Sequence, residues 1–77
     1  MEPWCLRQFG GITCELGVAP ATDAAFVAWA LLVAADGRRS PLFDREGRLL
    51  LRRAATAEEA ITRVRHQVTM VLGPEQT

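Results

Sequence analysis

Residues 54–74 constrain the fold most, because they spell one helix with both of its ends marked. Thr56 is a natural N-cap residue, and Glu59 follows at the three-residue spacing of a capping box. Gly73 suits a left-handed C-terminal cap, and Pro74 prevents the helix from continuing. One apolar face repeats at helical spacing, and it consists of Ala57, Ala60, Ile61, Val64, Val68, Val71 and Leu72. A helix with one such face packs against one surface, which predicts a single helix on a sheet.

Residues 4–18 predict a β-hairpin, because two apolar segments flank the pair Gly10-Gly11. A two-residue glycine loop suits the primed turns that join antiparallel strands. A register that pairs Phe9 with Ile12 collects most of the apolar side chains on one face. These side chains belong to Cys5, Phe9, Ile12, Cys14 and Leu16.

The run of residues 24–35 contains no polar side chain, so its periodicity does not distinguish a strand from a helix. Its alanines and Gly37 favour a helix over residues 23–36, which gives a ββαββα alternative. Phe26 and Trp29 favour a strand. We favour the strand, because the chain that follows continues as a meander.

The meander consists of strands over residues 38–43 and 48–54, joined by a type I turn at residues 44–47. Pro41 lacks a backbone donor and therefore belongs on an edge strand or a bulge. Residues 75–77 are expected to fray.

The predicted fold class is α+β, with all 77 residues in a single domain over residues 1–77. Four to five antiparallel strands, arranged as a hairpin plus a meander, carry one C-terminal helix on one face. The strand–turn–strand segment that leads into Thr-Ala-Glu-Glu-Ala is similar to the end of many small βββα units, antitoxin-type units among them. This likeness implies no function.

No residues are assigned to catalysis, a metal or a cofactor, and we predict that the protein is not an enzyme. Cys5 and Cys14 are the only thiols, and the predicted register places them diagonally, so that a disulfide between them is strained. His66 is the only histidine, on a helix face that turns away from the apolar stripe. The carboxylates are explained by turns and by the first turn of the helix.

The net charge is zero, and all nine basic residues are arginine. We interpret the use of arginine without lysine as typical of a GC-rich bacterial or phage genome. The longest uncharged apolar run is too short to cross a bilayer, and the N-terminus does not have the pattern of a signal peptide. The predicted location is cytoplasmic, with no membrane contact.

The predicted meander register places Arg53 opposite Arg39 and Arg52 opposite Ser40, and so gathers them with Arg38 at one end of the sheet. Such a cluster has three interpretations. It is a solvated rim with intramolecular ion pairs, for which Glu2 and Glu15 are candidates, a contact for a partner protein, or a site for nucleic-acid phosphates.

The apolar run of residues 24–35 implies that both faces of its strand are covered, whereas one helix covers only one. A second copy of the chain is the simplest cover, and the alternative is that the hairpin of residues 4–18 folds over this face.

The predicted function is therefore that of a small bacterial or phage-type regulator that binds and occludes a partner protein, in the manner of an inhibitor, as a homodimer. The alternative is a nucleic-acid-binding regulator that uses the arginine-rich end of the sheet. The predicted partner-binding residues are Trp29, Phe26, Trp4, Arg38, Arg39, Arg52 and Arg53.

Overall fold

The computed structural model of the chain describes residues 4–76, except for the side chain of Trp4. This part of the chain forms a six-stranded antiparallel sheet and one helix, which confirms the predicted α+β class. The elements are β1 (Trp4–Phe9), β2 (Ile12–Pro20), β3 (Phe26–Val33), β4 (Arg39–Pro41), β5 (Leu51–Ala54), α1 (Ala57–Leu72) and β6 (Glu75–Gln76). The strands lie in the order β4-β3-β2-β1-β6, and β5 also pairs with β3.

The β1–β2 hairpin has the predicted register, with Phe9 opposite Ile12. Gly10 and Gly11 have φ angles of 57° and 83°, and two successive positive values define a type I′ turn. The hairpin lies beside β3 in the sheet, because β2 pairs with β3 over Cys14 to Pro20. The alternative in which the hairpin folds over the face of β3 is therefore wrong.

The apolar run forms β3, so the prediction of a strand is confirmed and the alternative of a helix at residues 23–36 is wrong. β3 pairs along one edge with β2 and along its other edge with both β4 and β5. A central strand satisfies its backbone donors and acceptors on both sides, and it accepts the aromatic and β-branched residues Phe26, Trp29 and Val33 well.

The predicted meander register is correct beside its turn, where Phe43 lies opposite Leu49 and the Leu50 N–H bonds the Leu42 carbonyl. It is wrong for β4 and β5, because both pair with β3 and not with each other. Arg39 lies opposite Val33 near the end of β3, whereas Arg53 lies opposite Val27 near its start. Between them the chain leaves the edge as a loop over residues 42–50, the 42–50 loop. Leu42 and Leu50 anchor this loop, since they are only 5% and 2% exposed. Pro41 ends β4, which is an edge strand as its missing donor requires.

α1 begins and ends where the sequence predicts. The Thr56 side chain accepts a hydrogen bond of 3.1 Å from the Glu59 N–H, and Gly73 follows the last helical residue with a φ of 111°. The prediction that residues 75–77 fray is wrong for Glu75 and Gln76, which form β6 beside β1. Thr77 lies outside the described residues.

The core lies between α1 and one face of the sheet, the helix face. Ala28 and Ala30 of β3 are buried there, and their small side chains let the helix approach closely. The buried apolar residues are Phe9, Cys14, Leu16, Ala28, Ala30, Leu42, Leu50, Ala54, Ala60, Val64 and Val68. No helix or strand among the described residues packs on the other face of the sheet.

Candidate functional site

The face of the sheet turned away from α1, which we call the open face, is apolar along its centre. Successive side chains of a strand point to opposite faces, so residues that alternate with the core of β3 lie here. The apolar residues of the open face whose side chains are described are Leu6, Ala19, Val27, Trp29, Leu31, Val33, Pro41 and Leu51. Leu6 and Leu51 are 44% and 46% exposed, and the four residues from β3 are half-buried.

Trp29 lies at the centre of the open face, with its ring over Gly17 on the neighbouring strand. A Cβ atom at Gly17 would come within 2.1 Å of the ring atom Cζ2, so only glycine permits this contact. The indole Nε1 donates a hydrogen bond of 3.3 Å to Oε2 of Glu15. These contacts hold Trp29 in one orientation, with its side chain only partly exposed.

Glu15 brings a carboxylate into this apolar surface, with only 12% of its side chain exposed. Arg39 lies beside it, with Nε 2.5 Å from Oε1. The Arg39 hydrogen bond is the main reason why the pKa of Glu15 lies below its ordinary value, and the Trp29 hydrogen bond lowers the pKa further against the opposing effect of burial. The open face therefore contains an ionised carboxylate whose charge is matched by Arg39.

The lowered pKa of Glu15 makes stability depend on pH in a defined direction. A carboxylate with a lower pKa when folded stabilises the protein fully above its unfolded pKa, and this contribution is lost as pH falls through the folded pKa. We expect the urea midpoint of the wild type to fall between about pH 5 and pH 3. Glu15→Gln should flatten this slope.

Asp44 is a second source of the same acid sensitivity, because its pKa is also lowered, chiefly by the hydrogen bond from the Arg48 N–H. Some slope should therefore remain in Glu15→Gln. Urea unfolding followed by circular dichroism at a series of pH values measures both contributions. Identical slopes for the wild type and Glu15→Gln would contradict the assignment.

The four arginines that the sequence placed in one cluster lie at two separate places on the sheet. Arg39 and Arg53 are opposite residues of β3 that are six positions apart, which is about 20 Å along a strand. Each of the four pairs with a carboxylate: Arg38 with Asp36, Arg39 with Glu15, Arg52 with Asp44, and Arg53 with Asp23. All four arginines therefore form ion pairs within the chain, and the prediction that they gather at one end of the sheet is wrong.

The other predicted partner-binding residues are divided between the two faces. Trp29 shares the open face with Arg39 and Arg53, which alternate with inward-facing residues of their strands. Phe26 lies on the helix face and packs against the core, away from Trp29. Trp4 lies opposite Gly17 in the register, but its side chain is outside the described residues.

Glu15 was predicted as a partner of the arginines, but its place at the centre of the open face and the flanking leucines were not predicted. Glu15 is the one acid within β2, and a charged residue between buried neighbours was a signal of a buried ion pair. Leu31 and Leu51 follow from the alternation of β3 and β5 once the register is known.

The thiols and the histidine lie outside the open face. Cys5 pairs with Leu16 and Cys14 with Arg7, so the two cysteines are not opposed, and both thiols are free. Burial raises the pKa of the Cys14 thiol. His66 is exposed on α1. Among residues 4–76, no three His, Cys, Asp or Glu side chains are grouped in a way that could hold a metal ion.

Comparisons of the chain with protein-family models, with curated proteins and with solved structures found no match. Within the described part of the chain, the one helix is too short and too polar to cross a bilayer.

Proposed function

We propose that the protein is a non-enzymatic interaction protein that forms a homodimer through the open face and regulates a partner protein by binding to it. The observation that carries the proposal is the apolar centre of the open face around Trp29, on which no described helix or strand packs. Large apolar surfaces of this kind are typical of protein–protein contacts. An aromatic residue that is held in place, as Trp29 is by Gly17 and Glu15, is a good anchor for such a contact.

The size of the open face supports a dimer of modest affinity. Four strand positions about 4.8 Å apart, and a strand of eight residues rising about 3.3 Å each, outline a flat area of about 500 Å². A standard interface buries about 800 Å² on each partner, and side-chain relief raises the area of the open face towards that value. We expect a dissociation constant on the order of 10 μM, not the tight association of an obligate dimer.

The charges of the open face support a second copy of the chain as its cover. The chain has zero net charge, so two copies do not repel each other at long range. Arg39 is already matched by Glu15 within the chain, and Arg53 by Asp23. Neither pair obliges the opposing surface to supply a compensating charge, which suits an interface between identical faces.

Size-exclusion chromatography with light scattering, over a concentration series from 1 to 500 μM, tests the dimer. Leu51→Glu adds a charge opposite Trp29 on the open face and should make the protein monomeric over the whole series. Met70→Glu is the matched control, because Met70 is 41% exposed on α1, away from the open face. It should leave the dimer unchanged.

A wild-type protein that is monomeric at the highest concentration would refute the dimer. Equal weakening by Leu51→Glu and Met70→Glu would show that association does not use the open face. We propose a protein partner and not a nucleic acid. The nucleic-acid role depended on a cluster of arginines, and the described sheet does not bring them together.

A further inference from the structure

The two edges of the sheet differ in their capacity to accept another strand. On the edge formed by β4 and β5, the Ala30 N–H bonds the Leu50 carbonyl, so the backbone groups of Leu51 and Arg53 point outward. The Leu51 carbonyl accepts a hydrogen bond of 2.8 Å from the Arg52 guanidinium. The Arg53 carbonyl accepts one of 2.8 Å from the Arg63 guanidinium.

This edge also has fewer backbone N–H groups that can donate to another strand. The Leu51 N–H bonds the Leu49 carbonyl at 2.9 Å, and Pro41 has no N–H. Capped carbonyls and an edge proline are typical of strands that are protected from pairing with other chains.

The edge of β1 is less protected. The type I′ turn directs the backbone groups of Phe9 towards β2, so those of Leu6 and Trp4 point outward. β6 pairs with β1 only at Gln8 and Phe9. No described residue pairs with residues 4–7 on this side. The Leu6 carbonyl accepts a hydrogen bond from the exposed Arg7 side chain, but at 3.3 Å it is longer than the 2.8 Å caps on the opposite edge.

A shallow groove lies beside this unpaired edge and continues the line of β6. Its lining residues are Leu6, Arg7, Gln8, Thr13, Arg65, Glu75 and Gln76. Glu75 lies between the two arginines, with carboxylate oxygens 3.5 Å from Arg7 and 2.6 Å from Arg65. Two guanidinium groups face one carboxylate here, so the groove has an excess of positive charge.

We propose that an extended segment of the partner protein binds along Trp4 to Arg7 as an added antiparallel strand. Its alternate side chains lie on the two faces of the sheet. Those on the open face contact Leu6 and are apolar, and those on the other side meet Arg7 and Arg65 and are acidic. The inference rests on the proposed function, because it names the chemistry of the partner, an extended segment that alternates apolar and acidic residues.

The peptide acetyl-Glu-Val-Glu-Val-Glu-Val-amide is the probe, titrated into ¹⁵N-labelled protein and followed by NMR. We expect shift changes at Leu6, Arg7 and Arg65, with a dissociation constant on the order of 1 mM, because the strand edge is short. The same peptide with lysine in place of glutamate should bind at least about tenfold more weakly. Exchange of the Leu6 amide with solvent should slow when the acidic peptide binds.

Leu6→Pro tests the role of the backbone, because it removes an outward N–H that no described residue uses. It should fold normally and bind the acidic peptide about tenfold more weakly, whereas Leu6→Ala should keep the hydrogen bonds and most of the binding. Arg65→Glu is a second variant that does not alter the strand, and it should reverse the preference between the acidic and basic peptides.

Absence of shift changes at 5 mM acidic peptide would overturn the inference, as would changes confined to Trp29 and Leu51. Unchanged binding by folded Leu6→Pro, or an unchanged peptide preference in Arg65→Glu, would overturn it too. Light scattering on the same samples reports the open-face dimer separately. A dimer that persists without peptide binding contradicts only the added strand.

Discussion

Gly10→Ala should lower the free energy of unfolding by about 3 kcal/mol, for two independent reasons. Gly10 has a φ of 57°, which costs a residue with a Cβ atom about 1 kcal/mol. The new Cβ would also lie 2.0 Å from the carbonyl oxygen of Leu72, a backbone atom that cannot move without disturbing the end of α1. The Gly10 N–H donates to the Pro74 carbonyl at 3.0 Å, so the turn is fixed against this segment.

Gly11→Ala is the matched control, because it changes the adjacent glycine of the same turn. Its φ is 83°, but a Cβ atom there meets nothing within 4 Å. We expect a loss of about 1 kcal/mol, from the backbone alone. Urea unfolding of both variants under the same conditions measures the difference. Equal losses would mean that the close approach to Leu72 does not limit the substitution.

Gly17→Ala should cost about 2 kcal/mol, although Gly17 has no positive φ. The cost arises because the Cβ atom overlaps the ring of Trp29, which must leave its position over the strand. Displacing the ring also breaks the hydrogen bond from Nε1 to Glu15, and leaves the buried carboxylate with less solvation. Because this hydrogen bond lowers the pKa of Glu15, its loss should also flatten the dependence of stability on pH between about pH 5 and pH 3.

A double-mutant cycle with Trp29→Ala isolates this contact. Once the indole is removed, Gly17→Ala should cost almost nothing, because alanine is at least as favourable as glycine within a strand. The indole N–H resonance of Trp29 should move in the single variant Gly17→Ala. A cost that is the same with and without the indole would show that another neighbour opposes the side chain.

The hairpin and the helix were predictable because their signals are local. Gly10 and Gly11 specify a turn whose two positive φ angles fix the register of both strands. Thr56 and Gly73 mark the two helix ends by the hydrogen bonds that they make. In each case the residues that decide the conformation lie within a few positions of the residues that adopt it.

The pairing of β5 was not predictable in the same way, because nothing local chooses between β4 and β3 as its neighbour. The choice depends on Leu42 and Leu50, whose burial draws the 42–50 loop against the core. It also depends on Asp44, which accepts hydrogen bonds from the Arg48 N–H and from the side chain of Arg52. These contacts form only after the sheet and the helix have met.

In the candidate site too, the features with local signals were predictable and those that depend on long-range contacts were not. Trp29 was recognisable from its place in an apolar run, but strand alternation separates it from Phe26, which the sequence analysis had grouped with it. Arg39 was noticed for its charge, but its partner Glu15 lies 24 positions away in the sequence. Composition identifies residues of this kind, and only the register of β2, β3 and β4 shows which of them meet.

The position of α1 at the C-terminal end of the fold has a consequence for synthesis. A chain that leaves the ribosome from its N-terminus presents β1 to β5 before the helix that covers their inner face. During that interval both faces of the nascent sheet are apolar and uncovered. A nascent chain on a neighbouring ribosome can associate with either face. Rapid closure by a strongly capped helix shortens this exposure, and only the side bearing Trp29 stays available for assembly afterwards.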